Sequence, residues 1–148
     1  MYEKIIGALR RNANDEALSA AAAMVALHPA DAQAHRWLAV AQQQGGDYKA
    51  AVASIDQAIA LLPEDGNLHL VRAGVLLSMR RVDEARSALV QTTGLDSNYF
   101  IAYLMQAELA LSRGDLEEAM RFSRLAARVD PDHPQLAAVE GMLALRRG

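Results

Sequence analysis

Cysteine is absent from this chain of 148 residues. That excludes disulfides, zinc sites built on thiolates and thiol nucleophiles, and it leaves the redox compartment open. Proline is limited to four residues and aromatic residues to 5%. Strand-favouring residues are sparse while alanine is abundant, so local preference points to helix throughout and the expected class is all-α. No apolar run reaches the ~18 residues that span a bilayer, and the N-terminus MYEKIIGALRRNANDEAL lacks the apolar core and cleavage site of a secretory leader. Membrane insertion is therefore not expected, and a cytoplasmic location is. There is no excess of positive charge either: 15 basic against 18 acidic residues leave a formal charge of −3. No nucleic-acid partner is expected on that balance.

What the chain does have is 52% hydrophobic and 22% charged residues, a composition that folds rather than stays disordered. Its length suits one domain or one short solenoid. Self-similarity decides between them. Leu38-Ala39, Gly46-Asp47-Tyr48, Ala51, Ala58 and Pro63 superpose on Gln106-Ala107, Gly114-Asp115-Leu116, Ala119, Ala126 and Pro131 after a shift of 68, two steps of 34. The intermediate step reaches Arg72-Ala73, Arg80-Arg81-Val82, Ala85, Thr92 and Ser97, and a step back from Ala51 and Pro63 reaches Ala17 and Pro29.

A 34-residue period holds two helices of about 13 residues and two turns. Gly46-Asp47 and Gly114-Asp115 end one helix with a residue that accepts positive φ and start the next with a side chain that takes up free N–H groups. Pro29, Pro63 and Pro131 close the other turn, with Ser97 in the same place once. Nine helices are predicted, near 2–11, 14–27, 32–44, 47–60, 66–79, 82–93, 98–112, 115–128 and 133–146. Ala39, Ala73 and Ala107 in the first helix of successive pairs, and Ala51, Ala85 and Ala119 in the second, are read as close helix contacts. Leu38, Ile55, Leu61, Leu76, Leu89, Leu95, Tyr103, Leu125 and Val129 are read as layer-filling core.

Small residues at both helix contacts, Gly-Asp followed by Tyr or Leu at the inner turn and Asp130-Pro131-Asp132 at the outer one resemble the tetratricopeptide repeat. The resemblance spans almost the whole chain. It implies a single right-handed superhelical solenoid of antiparallel helix pairs, with repeats at about 1–31, 32–65, 66–99 and 100–133 and an extra helix at 134–147. Residues 66–99 depart most, because Arg80-Arg81 replaces Gly-Asp and Thr92 stands where Ala58 and Ala126 do.

Chemistry-bearing clusters are few. No nucleotide loop, nucleophile elbow or His-Glu-x-x-His helix is present, so neither an enzyme activity nor a cofactor is expected. His35 and His69, one repeat apart, would lie about an interhelical spacing of 8–10 Å from each other, which suits packing better than a shared metal. Asp130, Asp132 and His133 suit a turn and a cap, so no metal is assigned.

The resemblance further implies that the first helix of each pair lines a concave groove for a protein or peptide. The residues assigned to it are Gln33, Arg36, Trp37, Asn67, Leu70, Leu77, Ile101, Leu104, Glu108 and Leu111. Of the Lys, Asn and Arg clamp with which one subgroup holds acidic chaperone tails, only Arg36 has a counterpart; Val40, Val71, Ile101 and Met105 stand at the other places. The expected function is a protein-interaction scaffold that takes a peptide or amphipathic helix. The alternative, implied by the same resemblance, is a recruiting or oligomerising module of a larger enzyme such as a sulfotransferase, glycosyltransferase or hydroxylase. Leu136, Val139, Met142, Leu143 and Leu145 in the last helix predict an uncovered apolar end, covered by further chain or by a second copy in a homo-oligomer.

Overall fold

A computed structural model describes residues 1–148, which form nine α-helices and no strand. They are α1 (Glu3–Arg10), α2 (Asn14–Leu27), α3 (Ala32–Gln44), α4 (Tyr48–Leu61), α5 (Gly66–Ser78), α6 (Val82–Leu95), α7 (Phe100–Ser112), α8 (Leu116–Val129) and α9 (Pro134–Arg147). The observed ends lie within two residues of the predicted ones. The chain falls into two compact units, Met1–Ala88 and Leu89–Gly148, divided within α6.

The turns explain why the helices stop where they do. After α3, the Gly46 N–H donates to the Gln43 carbonyl at 3.0 Å and the Asp47 N–H to Gln42 at 2.9 Å, the two bonds of a Schellman ending. The same pair recurs after α1 (Asn12 to Leu9, Ala13 to Ala8), α5 (Arg80 to Leu77, Arg81 to Leu76) and α7 (Gly114 to Leu111, Asp115 to Ala110). That ending needs positive φ at its pivot, and φ is 57° at Asn12, 87° at Gly46, 59° at Arg80 and 76° at Gly114. The period of 34 is thus kept by the backbone at Arg80, where the side chain breaks it.

Aspartates start the helices. Asp31 accepts from the Gln33 N–H at 2.9 Å, Asp65 from Asn67 at 3.0 Å, Asp47 from Ala50 at 3.2 Å and Asp115 from Glu118 at 3.0 Å, each satisfying a donor that has no partner inside its helix.

In the first unit, α1 packs on α2 and α3, α2 on α3, α3 on α4 and α5, and α4 on α5. Ile5, Ala8, Ala17, Ala21 and Ala41 make one core cluster and Ala32, Ala39, Ile55, Ala58 and Leu68 another. In the second unit α7 packs on α8 and α9, and α8 on α9. Its core holds Leu104, Ala107, Ala110, Leu111, Ala119, Val139 and Leu143, with Tyr103, Ala126 and Leu136 beside Phe100 and Phe122. Ala39, Ala51, Ala73, Ala85, Ala107 and Ala119 are all fully buried, as close helix approach requires.

Two expectations about apolar residues need correction. Leu61 and Leu95, read as core, are each 41% exposed, because they sit on the last turn of their helices beyond the close contacts. In α9, Leu136, Val139 and Leu143 turn inward onto α7 and α8 and are buried, so the uncovered end shrinks to Met142 and Leu145 among exposed alanines.

Candidate functional site

The first unit presents one face built from its three first helices, α1, α3 and α5. On α3 the half-buried Gln33, Arg36, Trp37, Val40 and Gln43 have a spacing that keeps them on one stripe, with Trp37 packed in part against the core cluster of Ile5 and Ala41. On α5 the matching stripe is Asn67, Leu70, Val71, Gly74 and Leu77. All ten are half-buried: close enough to the neighbouring helix to be ordered, yet open to solvent.

Side-chain bonds hold the stripes side by side at both ends. At the N-terminal ends the Tyr2 hydroxyl donates to the Asp31 carboxylate, and Gln33 Nε2 donates to Asp65 at 3.4 Å. At the C-terminal ends Gln44 Nε2 donates to the Leu9 carbonyl at 3.1 Å and to Asn12 at 2.6 Å, while Gln43 Nε2 donates to Ser78 Oγ at 3.4 Å. Between them lies Trp37, the largest side chain of the face. Its ring lies 6.4 Å from that of Tyr2, and the Arg36 guanidinium lies 4.4 Å from its centroid, in cation–π range. Arg36 also donates to Gln33 Oε1 at 3.4 Å.

The Tyr2–Asp31 pair is electrostatically marked. Burial, and then the neighbouring Asp31 carboxylate, push the Tyr2 hydroxyl up to about 12. The Tyr2 hydrogen bond, with backbone N–H groups of Gln33 and Ala34 behind it, holds Asp31 below its ordinary value.

The predicted groove residues therefore divide. Gln33, Arg36, Trp37, Asn67, Leu70 and Leu77 share the face of the first unit. In the second unit Ile101 and Glu108 are exposed, and partial burial raises the Glu108 carboxyl. Leu104 and Leu111 do not line a groove. They are 3% and 4% exposed, packed in one cluster with Val139 and Leu143 of α9, which occupies the side on which a ligand would have met them. Tyr2 was missed, together with the rest of α1. One step of 34 back from Arg36 lands on Tyr2 and one back from Val40 lands on Ile6, so the signal was present but followed only from α3 onward.

The remaining polar residues have structural work. His35 Nε2 bonds the Pro29 carbonyl at 2.8 Å and His69 Nε2 bonds that of Pro63 at 2.9 Å, so each holds its own outer turn. His133 accepts from the Gln135 N–H through Nδ1 at 3.2 Å and stacks on Phe100 at 4.5 Å. No three His, Asp or Glu side chains are grouped to hold a metal ion. A recess lined by Asp115, Glu117, Glu118, Met120, Arg121 and Arg124 lies at the start of α8, where Glu118 pairs with Arg113 and Arg121. No helix is long and apolar enough to cross a membrane.

Comparison with known proteins places this geometry. Among curated proteins, the DnaJ homolog subfamily C member 7 homolog of Dictyostelium discoideum is 28% identical over 97 residues, covering 63% of this chain and 18% of that one. The chain spans less than a fifth of the length of the curated relatives it matches. Among solved structures, PilF of Pseudomonas aeruginosa superposes with a TM-score of 0.88 at 20% identity, over 98% of this chain and 66% of that one. The Yersinia enterocolitica type III secretion chaperone SycD, in complex with a peptide of the translocator YopD, superposes with a TM-score of 0.70 at 23% identity, over 78% and 91%. Three profiles described as tetratricopeptide repeat match residues 2–66, 43–99 and 101–133. With four Schellman turns in strict phase and profile matches along nearly its whole length, the chain belongs to the tetratricopeptide repeat family.

Proposed function

We propose that this chain is a protein-interaction scaffold that holds a peptide or amphipathic helix against the α1, α3 and α5 face of its first unit. One observation carries the reading. Trp37, Leu70 and Leu77 stay half-exposed on adjoining stripes whose rims are fixed by side-chain bonds at both ends. A held but open apolar surface loses little freedom on binding, so each ~100 Å² it buries returns about 2.5 kcal/mol before association costs. A peptide-bound structure of SycD supports the reading by analogy of fold. Ile101 and Glu108 are proposed as separate ligand contacts of the second unit. The unbroken 34-residue phase supports treating the four repeats as one solenoid domain. A cytoplasmic location belongs to this reading and no catalytic step does. Recruitment within a larger enzyme is the alternative, and the small share of its relatives that the chain covers keeps it open. Self-association through α9 would rest on Met142 and Leu145.

Affinity capture from the native host with the wild type and with Trp37→Ala/Leu70→Glu tests the face. The double variant should lose the captured protein while its circular dichroism stays helical. Undiminished capture would place the partner elsewhere.

A further inference from the structure

Gly74 is the one position on the paired stripes without a side chain. By repeat phase it shares a row with Ile6 and Val40. A glycine inside a helix weakens it relative to alanine, so its place needs a reason. The packing does not supply one: a Cβ built at Gly74 would meet only the Gln43 side-chain nitrogen, at 3.6 Å, an ordinary contact. Gln43 donates to Ser78 Oγ, and Ser78 Oγ donates to the Gly74 carbonyl at 3.1 Å, so polar groups close one side of the gap and the half-buried Leu70 lies a turn away on the other. The fold leaves a dip there that it has no need to leave.

Charge along the same face is uneven. The N-terminal ends of α1, α3 and α5 carry Glu3, Asp31, Glu64 and Asp65. Glu3 is paired with the terminal amine and Arg36 lies over Trp37, while Lys4 has the helix phase of Leu38 and Arg72, off the stripe. Asp31 accepts from Tyr2 and from the backbone N–H groups of Gln33 and Ala34, and Asp65 from Asn67 N–H and Gln33 Nε2, which leaves acceptor capacity on both carboxylates. At the opposite end Arg10 has the helix phase of Gln44 and Ser78, off the stripe, and Arg80 is exposed in the turn after α5. The face therefore carries the two carboxylates of Asp31 and Asp65 at one end, with the Arg36 guanidinium beside them over Trp37.

Resting on the face reading above, we propose that its ligand is a basic, apolar segment: a large apolar side chain enters the dip at Gly74, and a lysine or arginine lies over the Asp31–Asp65 end. Along α5 the two features are nine residues apart, about 14 Å at 1.5 Å per residue. An extended ligand covers that distance in about four residues. Acidic peptides are disfavoured at that end.

The test is selection from a phage-displayed library of random peptides about 16 residues long against the wild-type protein, followed by fluorescence anisotropy of the winners. Enriched peptides should carry Lys or Arg about four residues from Leu, Met, Phe or Trp. They should bind about tenfold more weakly to Gly74→Leu and about threefold more weakly to Gly74→Ala. Gly74→Ala is the folding-safe version and should melt slightly higher than wild type. Asp31→Asn/Asp65→Asn keeps both caps and should weaken binding about fivefold at low salt. Net-acidic winners, no enrichment, or equal binding to the Gly74 variants overturns the inference. The two readings fail differently. Binding that survives Trp37→Ala/Leu70→Glu sinks the face itself, whereas loss there with no effect at Gly74 sinks only the dip.

Discussion

Arg80 holds φ of 59° in a turn whose counterparts at Gly46 and Gly114 are glycines. An L-residue in that region costs about 1 kcal/mol relative to glycine, because its Cβ crowds the neighbouring carbonyl. Replacing Arg80 by glycine removes the strain but widens the unfolded ensemble, which returns about half of the gain. The expected net stabilisation of Arg80→Gly is about 0.5 kcal/mol, or one to two degrees in melting temperature for a chain of this size. The mirror experiment is cleaner. A Cβ at Gly46 meets nothing within 4 Å, so Gly46→Ala creates no clash and isolates the dihedral cost. It should destabilise by about 1 kcal/mol. Arg80→Ala separates strain from charge: it keeps the Cβ, removes an exposed guanidinium, and should be near neutral. Urea titrations followed at 222 nm measure all three, with unchanged slopes showing that only stability moved. A neutral Gly46→Ala, or an Arg80→Ala as stabilising as Arg80→Gly, would refute the view that backbone phase rather than residue type defines these turns.

Tyr2→Phe should cost about 1 kcal/mol at neutral pH, discounted for the partial exposure of the bond to Asp31. The raised Tyr2 hydroxyl gives stability that is complete below about pH 10 and lost as pH rises toward 12, so the phenylalanine variant should lack that alkaline slope in pH-dependent melting. Glu108 has the same sign at lower pH: burial raises its carboxyl, so stability is greatest below the ordinary glutamate value of about 4.3 and falls as pH rises through the raised value. Glu108→Gln should melt higher than wild type at pH 7 and equal to it at pH 3; a constant difference would show that charge is not the cause. Leu104→Glu buries a carboxylate in the α7–α9 core and should abolish or severely weaken folding, whereas Leu70→Glu should leave the helical spectrum intact. Equal behaviour of the two would place them in the same environment.

The helices and turns were legible because their chemistry is local. Gly46, Gly114, Asp47, Asp115 and the outer-turn prolines act within a few residues of themselves, and the 34-residue repetition multiplies each signal. Arg80 was the exception in sequence and not in backbone: three other turns in phase and the packing of Ala73 and Ala85 impose the ending despite the residue. Exposure was less legible because it depends on neighbours. Leu70 and Leu104 hold equivalent places in the repeat, yet Leu70 remains half-open while α9 and its Val139 and Leu143 cover the surroundings of Leu104. Nothing within a single repeat records which helix lies beside it.

The contrast between positions within this one chain also separates fold from function. Where the fold makes a demand, the repeats agree: alanine at 39, 73 and 107, aspartate at 31 and 65, histidine bound to its own turn at 35 and 69. On the open stripes they disagree: Tyr2, Arg36 and Leu70 share one row, and Ile6, Val40 and Gly74 share the next. All six stay only half-buried, Tyr2 packing in part on the core cluster of Ile5 and Ala41, so the fold accepts different side chains in these rows. Residues that differ where the fold is indifferent are where recognition of a particular ligand has room to be encoded. The glycine among them is the most informative, because it has the lowest helix propensity of the six and brings no side chain to the face.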